Sequence, residues 1–386
     1  MSELSYLEKL LDGVKVEWLP LGNVTKYEQP TKYLVKAKDY HDTFSIPVLT
    51  AGKTFILGYT DETHGIYEAS KTPVIIFDDF TTANKWVDFD FKAKSSAMKM
   101  ITSSDDIKFS LKYVYYWLNT LPNELVDGDH KRQWISNYAQ KKVPVPCPDN
   151  PEKSLAIQSE IVRILDKFTA LTAELTAELT AELTMRKKQY NYYRDQLLSF
   201  KEGEVEWKTL GEVAVIGTGN HDTQDAIEHG KYIFYARGRE PLKLNVFDFD
   251  ETAIITAGDG AGVGKVFHYA KGKYALHQRA YRIVPNAFMN PRFVYHYITA
   301  YFFTYIQKAS VSSSVTSLRR PMFLKFPIPV PPSEEQARIV EILDKFDTLT
   351  NSITEGLPRE IELRQKQYEY YRDLLFSFPK PETVSN

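Results

Sequence analysis

The sequence has few of the features that mark secreted, membrane-spanning or metal-binding proteins. Cys147 is the only cysteine among 386 residues, so the chain cannot form an internal disulfide or a cysteine-rich zinc site. It has no apolar run of about 18 residues, the length that predicts a membrane span. The acidic N-terminal segment 1–18 also lacks the apolar core of a signal peptide. We therefore expect a globular protein of the cytoplasm.

Neither sign of charge dominates the chain. Its 48 Lys and Arg residues and 50 Asp and Glu residues give a formal net charge of −2. Proteins that bind nucleic acid by neutralising phosphates are usually basic, so this balance argues weakly against that class. Hydrophobic residues make up 43% and charged residues 25% of the chain, which is typical of globular domains. Its length suffices for two or three such domains.

Motifs of the common enzyme classes are missing as well. The glycine-rich segment 257–266 has Asp259 where a Walker A motif needs its first glycine, and Val266 where it needs Ser or Thr. The segment 217–222 breaks the dinucleotide-binding fingerprint at its last position. The sequence has no HExxH motif, nucleophile elbow or Asn-Pro-Pro-aromatic motif, and its histidines lack metal-ligand spacing. These absences predict a non-catalytic chain without a metal site.

What the chain does contain is an internal repeat. QSEIVRILDKFTALT at 158–172 matches QARIVEILDKFDTLT at 336–350 with 10 identities in 15 residues. The same offset of 178 residues aligns RKKQYNYYRDQLLSF at 186–200 with RQKQYEYYRDLLFSF at 364–378, with 11 identities in 15. Repeats of this length indicate a duplicated structural unit.

The segments around these helical repeats match each other more faintly. VEWLPLGNV at 16–24 resembles VEWKTLGEV at 205–213, and VPVPCP at 143–148 resembles FPIPVP at 326–331. We therefore divide the chain into an N-terminal arm (1–15), a first variable domain (16–150), a central conserved helix (151–203), a second variable domain (204–332) and a C-terminal conserved helix with a tail (333–386).

The two variable domains have the sequence pattern of mixed α/β domains. Each contains one aromatic helical segment, at 110–121 and 290–303, and Ser333 with Gln336 has the spacing of a capping box for the helix that follows. Short runs rich in β-branched and aromatic residues, bounded by turn residues, predict strands at 73–77, 231–236, 252–256 and 279–284.

The segment TALTAELTAELTAELT at 169–184 places a leucine at every fourth residue, which forms an apolar stripe on a helix. The C-terminal repeat has apolar residues at the equivalent positions. We predict that two helices of about 45 residues, each about 65–70 Å long, pack as an antiparallel coiled coil. Gly356 and Pro358 predict a kink in the second helix. The predicted seam residues are Leu171, Leu175, Leu179, Leu183, Leu349, Ile353, Leu357 and Ile361.

The duplicated arrangement, the helix ends QYNYYRDQLLSF and QYEYYRDLLFSF, the IPxP-type domain exits and the TAEL repeats resemble the specificity subunit of type I restriction-modification systems, specifically of the type IC group. The resemblance covers essentially the whole chain. It implies a non-catalytic DNA-binding subunit in which each variable domain reads one half of a bipartite, asymmetric target, while the helices set the length of the spacer. Each TAEL adds about 6 Å of helix, and by this analogy three copies imply a spacer of about seven base pairs.

The resemblance also implies partners. Two methyltransferase subunits are expected to dock on the helices, and restriction and translocase subunits to join them on double-stranded DNA. S-adenosylmethionine, ATP and Mg are then expected on those subunits, with no cofactor, metal or membrane bound by this chain. The alternative is a coiled-coil adaptor that binds proteins and has no role on DNA. DNA binding that weakens steeply with salt would distinguish the two.

Candidate DNA contacts lie in equivalent loops and domain exits. An offset of 180 residues pairs Asp79 with Asp259 and Lys85 with Lys265, at the ends of two equivalent loops. Lys and Arg bind phosphates or guanine, and Gln can bind an adenine edge. The alternative for each residue is a solvated position without a role. The predicted contacts are Lys53, Lys85, Lys131, Arg132, Gln133, Lys265, Gln278, Arg279, Arg319 and Arg320.

Overall fold

The chain forms two compact units, one of residues 1–177 with 362–386 and the other of residues 178–361. Each unit combines one variable domain with parts of both conserved helical regions. None of the helices within the described ranges is long and apolar enough to span a bilayer. The computed structural model describes residues 6–36, 40–52, 54–122, 132–201, 203–309, 317–352 and 354–380.

The strands of the first unit form a sheet of order β2-β8-β5-β6, a smaller sheet of order β4-β3-β7 and the antiparallel pair β1-β9. Their bounds are β1 (Val16–Pro20), β2 (Thr25–Glu28), β3 (Ile46–Leu49), β4 (Ile56–Thr60), β5 (Val74–Asp78), β6 (Asn84–Val87), β7 (Lys92–Ala93), β8 (Met98–Ser103) and β9 (Lys142–Pro146). The strand predicted at 73–77 is confirmed as β5, which is buried along its whole length because its run of β-branched residues occupies the sheet centre.

The helices of the first unit pack on these sheets. Leu7 and Leu11 are buried in the core, so the predicted N-terminal arm includes a docked helix. The predicted aromatic helix is also present, with Ser110 as its N-cap. The helices are α1 (Tyr6–Leu11), α2 (Leu21–Val24), α3 (Leu111–Leu118), α4 (Gln133–Ser136) and the start of α5 (Pro151–Leu197).

The second unit contains a single large sheet of order β11-β16-β14-β15-β12-β13 and the antiparallel pair β10-β17. Within the large sheet, β12 and β15 run parallel and the other described pairs antiparallel. The predicted strands at 231–236, 252–256 and 279–284 are confirmed as β12, β14 and β16. The strands are β10 (Glu206–Thr209), β11 (Ala214–Thr218), β12 (Tyr232–Tyr235), β13 (Leu242–Leu244), β14 (Phe249–Ala257), β15 (Phe267–Leu276), β16 (Ala280–Pro285) and β17 (Pro327–Val330).

The helices of the second unit cover this sheet, and the predicted aromatic helix at 290–303 is confirmed as α7. Its buried residues recur every three or four positions, as expected of a helix with one face in a core. The helices are α6 (Leu210–Val213), α7 (Pro291–Ala309), α8 (Arg320–Leu324), α9 (Ser333–Asn351) and the start of α10 (Leu357–Leu375).

The central conserved helix is continuous, but the C-terminal one is not. α5 spans 47 residues, about 70 Å at the usual rise per residue. The prediction of an equally long second helix is wrong, since residues 352–356 separate α9 from α10, which have 19 residues each. At Gly356 the backbone φ is +81°, and an added Cβ would lie 2.5 Å from the Thr348 carbonyl oxygen. α9 has therefore ended at Asn351 before this turn, and Pro358 lies in the first turn of α10, where its missing N–H costs little.

The antiparallel arrangement of the two conserved regions is confirmed by equivalent contacts inside each unit. In the first unit, the rings of Phe168 and Tyr371 are 5.5 Å apart, and the Thr169 hydroxyl donates a hydrogen bond to the Tyr368 hydroxyl. In the second unit, the residue equivalent to Phe168 is Phe346, and Tyr193 stacks on it at 5.5 Å. Tyr193 is in turn the sequence equivalent of Tyr371. The start of one conserved helix therefore packs against the end of the other in both units.

The predicted seam holds only in part. Leu171 is 52% exposed, so it is not a buried seam position, because the larger Phe168 makes the contact at this level of the helix. Ile353 lies outside the described residues. The remaining positions are buried or half-buried and stay predicted seam residues: Leu175, Leu179, Leu183, Leu349, Leu357 and Ile361.

The capping box predicted at the start of α9 is wrong. The helix begins at Ser333, and the residue before it, Pro332, has no N–H for a capping-box partner to accept. The Gln336 side chain instead donates from Nε2 to the Pro331 carbonyl and accepts at Oε1 from the Asn290 backbone N–H. This glutamine therefore joins α9 to the start of α7.

We expect Gly356→Ala to destabilise the protein more than Gly203→Ala. Both glycines have positive φ, which costs roughly 1–2 kcal/mol for other residues, but an added Cβ at Gly203 meets no described atom within 4 Å. The clash with Thr348 should therefore add to the loss at Gly356. Thermal unfolding of both variants would measure the difference. Equal melting temperatures would show that the close approach at Gly356 has no energetic effect.

Candidate nucleic-acid interface

In the second domain, the ends of three strands of the large sheet bring two arginines to one aspartate. Asp259 follows β14, Arg237 follows β12 and Arg279 precedes β16. The Asp259 Oδ1 atom accepts a hydrogen bond from Arg237 Nη1 at 2.9 Å, and Oδ2 accepts one from Arg279 Nη1 at 3.0 Å. The pairing of β14 with β16 sets this geometry, since the Gly258 N–H also donates to the Arg279 carbonyl at 2.8 Å.

The electrostatics of this cluster keep the aspartate ionised. Burial raises the pKa of the Asp259 carboxyl group, but the hydrogen bonds from Arg237 and Arg279 outweigh burial and hold the pKa below its ordinary value. The side chains of Arg279 and Arg237 remain 63% and 39% exposed. Each guanidinium has five N–H donors. The cluster thus presents a net positive charge and oriented donors to solvent.

A cleft of about 630 Å³ opens beside this cluster. The glycine-rich loop forms one wall, and an added Cβ at Gly262 would lie 2.7 Å from the Arg237 carbonyl oxygen, so only glycine allows this close approach. The cleft is also lined by Arg239 and by Lys265 of the same loop. Lys265 is exposed, with its ammonium group 5.0 Å from the centre of the Phe303 ring. The predicted phosphate contact therefore lies at an accessible, cationic edge.

Gln278 lies next to the arginine pair. Its Nε2 atom donates to Asp222 Oδ2 at 3.0 Å, and this bond is the main reason why the pKa of Asp222 is lowered. Gln278 and Arg279 share a second cleft of about 380 Å³ with Tyr281 and Leu318. Both predicted residues thus face the same side of the domain as Asp259.

The domain exit joins this surface through backbone hydrogen bonds. The Leu318 N–H donates to the Gly258 carbonyl at 2.7 Å, and Ser317 forms a β-bridge with Asp259. Arg319 and Arg320 follow directly and are exposed. The structure therefore brings the predicted loop and exit residues of the second domain together.

The first domain ties its loop and exit together in an equivalent way. Asp79, directly after β5, accepts hydrogen bonds at its backbone carbonyl from the Gln133 N–H and at Oδ1 from the Trp134 N–H, both at 2.8 Å. Its carboxylate lies 3.5 Å from the ammonium group of the buried Lys99, which also lies over the ring of Tyr27. Asp79 therefore holds the exit segment in place, but its ionic partner is hidden in the core.

The predicted contacts of the first domain have different surroundings. Lys85 on β6 and Arg132 before α4 are exposed. Gln133 is only 9% exposed, because its segment folds back on Asp79, so its side chain is poorly placed to reach a base and the expected adenine contact is not retained. Lys53 and Lys131 lie outside the described residues.

Sequence reasoning missed Arg237. The residue stands one position after the predicted strand 231–236, in a loop that contains two further charged residues and a glycine. Its position at the end of a predicted strand could have marked it as a candidate. Its hydrogen bond to Asp259, 22 residues away, depends on the order of the strands in the sheet. Among the residues that the structure describes, no group of three or more His, Cys, Asp or Glu side chains could hold a metal ion.

Comparison with known proteins decides the family. A family model described as "Type I restriction modification DNA specificity domain" matches residues 14–185 and 202–363. The chain belongs to this family. The "Type I restriction enzyme EcoR124I/EcoR124II specificity subunit" of Escherichia coli is 64% identical over 414 residues, covering 100% of both chains. The "EcoprrI specificity subunit" of Escherichia coli is 38% identical, covering 92% of this chain and 93% of the relative.

Solved structures agree on the fold of this specificity family. A crystal structure of the type I restriction-modification S subunit from M. genitalium matches with a TM-score of 0.56 and 16% identity, over 96% of this chain and 98% of the other. The two matches of one family model confirm the predicted internal repeat. As a specificity subunit with two target recognition domains, the chain serves in DNA recognition and not in catalysis.

We expect Asp259→Asn to destabilise the protein at neutral pH by roughly 1 kcal/mol, with a smaller effect in acid. The ionised carboxylate contributes stability above its ordinary pKa near 3.9, and this contribution is lost as pH falls through the lower folded-state pKa of Asp259. Urea unfolding of the unchanged protein and of Asp259→Asn between about pH 7 and about pH 3.5 would measure how far their difference in stability decreases in acid. Asp250→Asn, at an exposed position of β14, is the matched control. A pH-independent difference for Asp259→Asn would contradict the electrostatic account.

Proposed function

We propose that this chain is a specificity subunit of the type IC group that reads a bipartite, asymmetric DNA target, with one variable domain for each half-site. The observation that carries this proposal is the recurrence, in both domains, of a strand-end aspartate that ties a loop to the domain exit. The TAEL repeats support the assignment to the type IC group. Family membership argues against the alternative of a coiled-coil adaptor with no role on DNA.

In the second half-site, Arg279 and Arg237 supply the specific contacts. An arginine held by a carboxylate on one side presents its other N–H groups in a fixed direction, which suits bidentate bonding to guanine O6 and N7. Gln278 lies beside this pair and has the donors and acceptor that an adenine edge requires. Lys265, with Arg319 and Arg320, contacts phosphates on either side.

In the first half-site, Asp79 faces Lys99 in the core, and the described residues of this domain place no arginine pair on it. Contacts there come from exposed cations on the loop and on the exit segment. Lys85 and Arg132 are the described candidates, and Lys53 and Lys131 stay predictions. The two half-sites are therefore read with different chemistry.

The spacer between the half-sites is set by the conserved helices. α5 continues without a break through the TAEL segment 169–184. One tetrad lengthens a helix by about 6 Å, compared with about 3.4 Å for one base-pair step. Three tetrads correspond to a spacer of about seven base pairs, by analogy with the type IC group.

The partners of the chain dock on the same helices. Tyr192, Tyr193, Tyr370 and Tyr371 are exposed near the helix ends, where aromatic side chains suit a protein interface. We assign these two surfaces, one in each unit, to two methyltransferase subunits, joined by restriction and translocase subunits. S-adenosylmethionine, ATP and Mg act on those subunits. Such a complex works in the cytoplasm, where it meets cellular and incoming DNA.

We expect Arg279→Ala to weaken binding of the complex to its target by roughly tenfold or more, because a bidentate contact to guanine contributes about 1–3 kcal/mol. The loss should be confined to sequences with the intact second half-site. Lys265→Ala should instead weaken binding to all duplexes alike and reduce the salt dependence, since it removes one phosphate contact.

Fluorescence anisotropy at several salt concentrations would test both variants in complex with the methyltransferase subunits. Lys271→Ala, at an exposed position of β15 outside both cleft linings, is the control and should change affinity by less than about twofold. Unchanged target binding by Arg279→Ala would remove the proposed guanine contact.

Deletion of residues 176–179, one TAEL tetrad, should shorten the preferred spacer by about one or two base pairs without altering either half-sequence. Mapping of methylated adenines in a host with the complete system would show both properties at once. Thr176→Ala, which preserves the helix length, should leave the spacer unchanged. If the deletion changed a half-sequence instead, the helix would not act as a spacer.

A further inference from the structure

In the first unit, two polar residues on one face of α5 bind the start of the aromatic helix α3. Gln158 is 1% exposed, and its Oε1 atom accepts a hydrogen bond from the Ser110 backbone N–H at 2.9 Å. Eight residues further along α5, Asp166 accepts hydrogen bonds from the Lys112 ammonium group at 2.9 Å and from the Tyr116 hydroxyl at 2.6 Å. We call the contacts of Gln158 and Asp166 the first domain anchor.

The second unit has a corresponding arrangement at the equivalent positions. Gln336 is also 1% exposed, and its Oε1 atom accepts from the Asn290 backbone N–H at 2.6 Å. Asp344 on α9 accepts a hydrogen bond from Arg292 Nε at 2.8 Å and lies 2.7 Å from His296 Nε2. We call the contacts of Gln336 and Asp344 the second domain anchor. Its helix residues follow those of the first anchor by 178 positions, and its domain residues by 180.

The domain residues that bind Asp166 and Asp344 differ between the two units, and this difference shows which feature the two anchors share. Lys112 corresponds to Arg292, and Tyr116 corresponds to His296. Different side chains therefore bind the two equivalent aspartates, Asp166 and Asp344. A packing contact alone does not require this, since apolar residues fill such positions equally well. What the two anchors share is a directed hydrogen bond at each end of the contact.

Two attachment points constrain a domain more than one does. Eight residues of helix separate the glutamine from the aspartate by about 12 Å along the axis, a little over two turns, so both lie near one face. Ile157, Ile161 and Leu165 of α5 also pack into the core of the first unit, but apolar contacts are non-directional and constrain rotation less than hydrogen bonds do. Two directed contacts at this separation fix both the position and the rotation of the domain about its helix.

We propose that Asp166 and Asp344, together with Gln158 and Gln336, are positioning residues for bipartite recognition, which limit the spacer to one length by fixing the rotation of each reading domain. This proposal rests on the function proposed above. One extra base pair moves a half-site by about 3.4 Å and turns it by about 35° around the duplex. A domain that cannot rotate cannot follow that change, so helix length and domain rotation together determine the accepted spacer.

The test is genome-wide mapping of methylated adenines in a host that carries the complete system with Asp166→Asn or Asp344→Asn. Each change weakens the charged hydrogen bonds of one anchor but leaves the reading loops intact. We expect unchanged half-sequences, together with at least about a tenfold rise in methylation of sites whose spacer is one base pair longer or shorter, as expected for the loss of a charged hydrogen bond. Lys167→Ala, at the exposed position next to Asp166, is the control and should keep a single spacer length.

Charge-reversed variants of the Lys112–Asp166 ion pair distinguish a role in positioning the domain from a general structural role. Lys112→Glu should relax the spacer as Asp166→Asn does, and the double variant Lys112→Glu with Asp166→Lys should restore the single length, because the pair is rebuilt with opposite polarity. A purely structural anchor would lower the melting temperature and the methylation of all sites in equal proportion. That uniform loss would overturn the proposal, as would a single spacer length in fully methylating Asp166→Asn and Asp344→Asn complexes.

A failure of the proposed bipartite reading would give a different result from a failure of the positioning role. If the unchanged complex methylated adenines without a fixed spacer, the bipartite reading itself would be wrong. If Asp166→Asn failed to assemble with its partners, Lys112→Glu and the charge-reversed pair would decide the question, since Lys112 is partly exposed and the change leaves Asp166 itself in place. A single spacer length in Lys112→Glu, or a relaxed spacer in Lys112→Glu that the reversed pair does not restore, would reject the positioning role.

Discussion

The buried amide groups of Gln158 and Gln336 are the constraint from which the rest of the structure can be understood. A buried amide must have its donors and acceptor satisfied, because an unpaired polar group in a protein interior is costly. Here the partner is the backbone N–H at the start of a variable domain's aromatic helix, a group that every residue except proline provides. A conserved helix can therefore hold a domain in a defined place while most of the domain's sequence changes.

A second constraint acts in each domain where an aspartate follows a buried central strand. Asp79 and Asp259 both tie a loop to the domain exit, but their charges are balanced differently. Lys99 neutralises Asp79 inside the core, whereas Arg237 and Arg279 neutralise Asp259 at the surface. The same backbone framework thus carries an inert ion pair in one domain and an exposed arginine pair in the other. Under the proposed function, this difference gives each domain its own chemistry for its half-sequence.

Much of the architecture could be predicted because it depends on local patterns. The strands β5, β12, β14 and β16 and the aromatic helices follow from residue periodicity within short segments. The errors have tertiary causes. The C-terminal helix breaks before Gly356 because the backbone there turns to positive φ against the carbonyls of α9. Leu171 is exposed because Phe168 and Tyr371 make the contact at that level, and Gln133 is buried because its segment folds against Asp79.

The sequence alone determined the internal repeat, the order of domains and helices, and the likeness to type I specificity subunits, since each of these is a property of residues compared along the chain. Only the tertiary structure decided which charged groups meet. Arg237, Asp259 and Arg279 are brought together by the order of β12, β14 and β16 in the sheet, and Lys112 reaches Asp166 across 54 residues. Such contacts depend on strand pairing and helix docking between distant segments, and no periodicity in the sequence records them.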